Sequence, residues 1–93
     1  MTPFRVFETN GFVEQLGRLA ESGRGAIESK LKRQVYPQLR QSPFFGVHIR
    51  KLRNYQPPTW RYRIGDYRLF FSIDSVKKVV SILAIDHRKD AYQ

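Results

Sequence analysis

Residues 60–73 read Trp-Arg-Tyr-Arg-Ile-Gly-Asp-Tyr-Arg-Leu-Phe-Phe-Ser-Ile, two alternating runs on either side of Gly65-Asp66. Gly followed by Asp between such runs is the signature of a two-residue β-hairpin loop, with Gly first as a type II′ turn requires. With Ile64 and Tyr67 flanking the turn, Arg63 falls opposite Arg68, Tyr62 opposite Leu69, Arg61 opposite Phe70 and Trp60 opposite Phe71. Side chains alternate between the faces of a strand. One face therefore carries Trp60, Tyr62, Ile64, Tyr67, Leu69 and Phe71, and reads as core. The other carries Arg61, Arg63 and Arg68. A single arginine on a strand is ordinary solvated surface. Like charges set directly opposite each other are destabilising, so three of them on one patch point to an anion that they hold.

The whole chain supports that reading. Its 93 residues include 17 Lys and Arg against 8 Asp and Glu, a formal charge of +9. Such a balance favours polyanionic partners, such as nucleic acid, an acidic protein or a membrane surface. Apolar residues at 41% and aromatics at 14% are too many for a disordered basic tail and suffice for one small domain spanning 1–93. Cysteine is absent, which excludes disulfides, thiol chemistry and cysteine metal sites and fits a cytoplasmic protein. No run reaches signal-peptide or membrane-span length. Two histidines, His48 and His87, make a histidine metal site unexpected, and no cofactor is called for.

Outward from the hairpin, the elements follow in order. Pro3 to Glu8 reads as a short strand. Asn10 is the expected N-cap of a helix over residues 11–22, on the spacing of Phe12, Val13, Leu16, Leu19 and Ala20. Ser22-Gly23-Arg24-Gly25 breaks it. Ile27, Leu31, Val35 and Leu39 recur every fourth residue and predict a second helix of about four turns, antiparallel to the first. Val47–Arg53 is either a short extended segment or an ordered loop. Val79–Ile85 is a near-continuous apolar run, as in a strand buried on both faces. The expected fold is α+β: a helix hairpin on one face of a twisted, mainly antiparallel sheet of about four strands, in the order β-α-α-β-β-β.

The chemistry follows from the open face. Arg88 can swing from the end of the last strand toward Arg61, Arg63 and Arg68, with His87 and Tyr92 close by. No phosphate loop, paired carboxylates or Ser-His-acid arrangement is visible. RNA cleavage needs none of these, because the ribose 2′-hydroxyl is the nucleophile. Guanidinium groups can align the strand and stabilise the charge that develops on phosphorus. Arginine cannot move protons, so His87 is the candidate base and Tyr92 a proton donor, proton acceptor or stacking group. Arg50, Lys51 and Arg53 would widen the RNA-binding track. His48 reads as structural, and Trp60 and Tyr62 as core.

The hairpin motif at 60–71, followed by Ile-Asp-His-Arg-Lys-Asp-Ala-Tyr at 85–92, resembles the RelE/ParE toxin superfamily of type II toxin–antitoxin systems across nearly the whole chain. The resemblance implies a compact RelE-like fold. In the RelE branch it implies a ribosome-dependent mRNA endonuclease that enters the A site and cuts without a metal. There, basic residues at positions matching Arg61, Arg63, Arg68 and Arg88, with a tyrosine resembling Tyr92, carry catalysis. Two positions that are lysine in RelE are arginine here, and some relatives have histidine where His87 stands. The ParE branch shares the fold but poisons DNA gyrase and generally lacks the basic set, so the resemblance leans toward the ribonuclease, with gyrase inhibition the alternative. Either branch implies a cognate antitoxin, with the Phe44-Phe45 loop and the outer side of the helix hairpin as docking surfaces.

Overall fold

The computed structural model describes residues 3–87. Arg88 and Tyr92 lie outside them. The chain runs β1 (Arg5–Glu8), α1 (Asn10–Glu21), a second helix, β2 (Ile49–Lys51), β3 (Trp60–Ile64), β4 (Tyr67–Asp74) and β5 (Val79–His87). The second helix, α2, is continuous from Ala26–Lys30 through a π-turn at Leu31–Val35 into Tyr36–Gln41. The sheet has five strands in the order β1-β5-β4-β3-β2. β1 lies parallel to β5, and every other pairing is antiparallel. The helix hairpin on a mainly antiparallel sheet is thus as expected. The strand beyond the expected four is β2, three residues within the segment that sequence left open between strand and loop.

Three local features explain how the helices sit. Thr9, not Asn10, caps α1: its hydroxyl oxygen accepts from the Phe12 N–H at 3.4 Å while its O–H donates to the Ile82 carbonyl at 2.7 Å. Asn10 is the better cap by propensity, but only Thr9 is anchored to the sheet. α1 ends in a Schellman motif, with Gly23 at φ +84, the Arg24 N–H on Leu19 O and the Gly23 N–H on Ala20 O. In α2 the Tyr36 N–H reaches back to Leu31 O, the bond of a π-turn. Pro37 follows at once and has no N–H to continue an α-helical ladder. Side chains four apart drift by about 40° per step around a regular α-helix. The wider π-turn takes up that drift, and Ile27, Leu31, Val35 and Leu39 are all buried.

The core lies between the helices and one sheet face. Phe12 and Leu16 from α1 and the α2 stripe meet Tyr62, Ile64, Leu69, Phe71, Val80, Ile82 and Ile85. Polar groups inside are paired: Tyr62 Oη donates to Gln38 Oε1 and Tyr36 Oη to Glu8 Oε2, each at 2.6 Å. Burial and the Glu8 carboxylate push the Tyr36 hydroxyl well above the usual phenol range. The hairpin register is the one expected, pairing Arg63 with Arg68, Tyr62 with Leu69, Arg61 with Phe70 and Trp60 with Phe71. Gly65 takes φ +56 at the turn.

β5 departs from the simple pattern. Its pairing with β4 steps from Phe70↔Ala84 to Phe71↔Ile82, so Leu83 is an extra residue, a β-bulge. Burial follows the step: Val80 and Ile82 point to the core, Leu83 is exposed, and Ile85 is buried again. The Ile85 N–H beside the bulge is taken by Gln15 Oε1 of α1 at 2.8 Å. The strand is therefore buried on one face only, and its last residues change sides relative to an unbroken alternation.

Candidate nucleic-acid interface

The face of the sheet away from the helices carries two cross-strand rows. Arg50, Arg61, Phe70 and Ala84 form one, on β2, β3, β4 and β5. Arg63, Arg68 and Asp86 form the other. Residues directly opposite in a ladder share a face, so three of the expected arginines and Arg50 do converge. Their mutual field is felt most at Arg61. Partial burial, then the charges of Arg63, Arg50 and Arg68, lower its pKa below the ordinary arginine value. Its Nε is buried without a hydrogen-bond partner among the described residues. A buried donor left unmade is costly, and here it stands in the field of three other guanidinium groups.

Arg68 differs from its neighbours. Its Nε donates to Asp86 Oδ1 at 3.1 Å and its Nη2 to Oδ2 at 3.4 Å. Both side chains are about one-third exposed, at 32% and 35%. A carboxylate beside it fixes Arg68 in one orientation through Nε and Nη2, and Nη1 takes no part in that pair.

Several expected site residues are elsewhere. His87 pairs with Tyr67 and so faces the helices, its ring meeting the Tyr67 ring edge-to-face at 4.9 Å and 82°. It is not on the arginine face. The bulge is the reason: if the strand alternated unbroken through Leu83, His87 would share a face with Arg68, and Asp86 would point the other way. Lys51 pairs with Trp60 on the helix side, its ammonium 5.8 Å from the indole ring, so it does not extend the arginine track. Arg53 lies past the end of β2 on an exposed loop. Arg50 alone of that basic trio joins the patch. His48 lies beside Tyr62 with ring centroids 5.7 Å apart and lends its carbonyl to the Arg63 N–H, a structural placement.

Sequence reading missed Asp86 and Phe70. Asp86 was hidden because its side depends on the bulge. Phe70 was readable: it stands opposite Arg61 and alternates with buried Leu69 and Phe71, which puts a half-buried aromatic ring among the arginines.

Phe44 packs edge-on against Phe4 and Trp60, while Phe45 and Val47 are 78% and 92% exposed. No helix among the described residues is long and apolar enough to cross a membrane.

Comparison with known proteins gives a consistent picture. A family model described as the ParE toxin of type II toxin–antitoxin systems matches residues 9–92. Among solved structures, the toxin–antitoxin complex RelBE2 from Mycobacterium tuberculosis matches at 28% identity with a TM-score of 0.72, over 95% of this chain and 94% of that one. The RelE–RelB complex of the archaeon Pyrococcus horikoshii OT3 matches at 26% identity and a TM-score of 0.55, over 95% and 97%. A mutant of the E. coli toxin RelE in the free state matches at 19% identity and a TM-score of 0.64, over 99% and 90%, a likeness of fold. A search of curated protein sequences finds no match. The arginine-bearing sheet and the match over nearly the whole length lead to one conclusion: the chain belongs to the ParE-toxin family of type II toxin–antitoxin systems, within the RelE/ParE superfamily.

Proposed function

We propose that this toxin is a ribosome-dependent mRNA endonuclease. The observation that carries the reading is the convergence of Arg50, Arg61, Arg63 and Arg68 on one open sheet face, with the Arg61 Nε buried and without a hydrogen-bond partner among the described residues. A scissile phosphate seated there meets planar donors suited to its oxygens. As the 2′-oxygen attacks, negative charge on the phosphoryl oxygens grows, and guanidinium groups already fixed on strands stabilise it without reorganising. The half-buried Phe70 ring offers a stacking surface for a base of a single strand. Arg88 and Tyr92 extend the same set on sequence grounds. An antitoxin partner, as in the RelB complexes of two similar structures, would restrain the protein through its basic and apolar surface.

The test is primer extension on an mRNA under translation with purified ribosomes, comparing wild type with folded Arg63→Ala and Arg88→Ala variants. Ribosome-dependent cuts lost in both variants support the reading. Absence of cuts with translation unaffected refutes it.

The ParE family match favours a second reading, inhibition of DNA gyrase. It predicts blocked supercoiling that is indifferent to Arg63→Ala.

A further inference from the structure

A metal-free 2′-hydroxyl attack needs a group that takes the proton, and the arginines cannot be that group, because guanidinium stays charged. His87 is turned to the helix side of the sheet against Tyr67. Among the described residues, the side chain able to take a proton that strand pairing brings into the arginine rows is Asp86, in register with Arg68 and joined to it by two hydrogen bonds. We propose that Asp86 is the proton acceptor of the arginine face, acting on the ribose whose 3′-phosphate the arginines hold. The inference rests on the endonuclease reading above.

The geometry suits the role. A carboxylate has roughly four lone-pair sites, and Arg68 occupies two of them. The side chain is 35% exposed, so a free lone pair can be reached from the open face. Arg68 stands between Asp86 on β5 and Arg63 on β3. A phosphate bound by the remaining donors of Arg68 would therefore lie beside the carboxylate. The ribose 2′-hydroxyl is on the carbon next to the one bearing that phosphate, within the reach a general base requires.

In the step, the 2′-hydroxyl proton passes to Asp86 as the 2′-oxygen–phosphorus bond forms. The bond from phosphorus to the 5′-oxygen of the next nucleotide breaks, and that oxygen takes a proton from solvent water. The products are a 2′,3′-cyclic phosphate and a 5′-hydroxyl end. Asp86 then returns its proton to solvent.

Two other roles for the same carboxylate predict different outcomes. As a brace for Arg68, its loss would weaken RNA binding and cleavage together. As a brake that repels phosphate, its loss would strengthen both. Asp86→Asn separates them, because the amide oxygen still accepts from Arg68 Nε while the base is gone. The experiment measures single-turnover cleavage of ribosome-bound mRNA, and binding of a single-stranded RNA made uncleavable by one 2′-deoxy nucleotide, for the full-length wild type, Asp86→Asn and Asp86→Glu.

The expected result is cleavage slower by about 100-fold or more in Asp86→Asn, with RNA affinity equal to or above wild type, and Asp86→Glu within about tenfold of wild type. Cleavage by Asp86→Asn at or above the wild-type rate overturns the proposal, as does a parallel fall of binding and cleavage in a folded variant. If Asp86→Asn does not fold, Asp86→Glu decides: a rate as low as that of Arg63→Ala in a folded Glu variant overturns it. Wild type that cuts alongside a fully active Asp86→Asn sinks the proton acceptor alone. Wild type that does not cut removes the endonuclease reading and this inference with it.

Discussion

The two faces of the central hairpin are built from alternate residues of the same strands, yet they obey opposite rules. On the helix side, Tyr62, Ile64, Leu69 and Phe71 are buried, and the Tyr62 hydroxyl has its partner in Gln38. On the open side, Arg50 faces Arg61 and Arg63 faces Arg68, with one guanidinium nitrogen buried and without a partner among the described residues. The first face lowers the free energy of the fold. The second gathers like charges at a cost, and the proposed RNA ligand is what would offset it. A protein tells its function where it violates the rules that its core obeys.

The largest effect expected from breaking this contrast is on the helix side. Phe71→Ala should destabilise the protein by about 3–5 kcal/mol, a large part of what a domain of this size has, seen as a lower midpoint in urea denaturation. Tyr62→Phe should cost about 1 kcal/mol, because Gln38 Oε1 loses its donor. On the open side the losses move from stability to binding. Arg63→Ala should leave the urea midpoint nearly unchanged while lowering the salt dependence of single-stranded RNA binding by about 0.7 in log–log slope, measured by fluorescence anisotropy across a salt series.

The smallest effect is the sharpest test, since its sign is reversed. The charged form of Arg61 is disfavoured in the folded state. Arginine stays charged at every usable pH, so the penalty is present throughout and would be relieved only as pH rose through the folded pKa. Arg61→Gln should therefore stabilise the protein, by a few tenths to about 1 kcal/mol, in the same urea assay. A loss of stability instead would mean that the arginine face is not under electrostatic strain.

These faces were unequally legible. The hairpin register could be read because its alternation is clean and Gly65-Asp66 marks the turn, so Arg61, Arg63 and Arg68 followed directly. The four-residue stripe of α2 was equally plain, although the π-turn ahead of Pro37 was not. β2 is only three residues long and its sides are weakly marked, so Arg50 and Lys51 could not be told apart until pairing set one beside Arg61 and the other on Trp60. Val79–Ile85 hides most. A run that is apolar at almost every position has no phase, and nothing in it marks where a bulge falls. The sides of Asp86 and His87 depend on that phase, and the imidazole was assigned to the face that holds the carboxylate.

The bulge at Leu83 also bears on how such a domain can change over generations. Point substitutions alter what a position carries, one side chain at a time. Loss of Leu83 itself would only restore regular pairing, with Asp86 still opposite Arg68, whereas loss of one residue beyond it, such as Ile85, would bring His87 opposite Arg68 and present an imidazole to the arginines in place of a carboxylate while leaving the hairpin untouched. A sheet of this kind can thus exchange a carboxylate for an imidazole through a one-codon deletion, and alignments that ignore such gaps will pair residues that stand on opposite sides of the sheet.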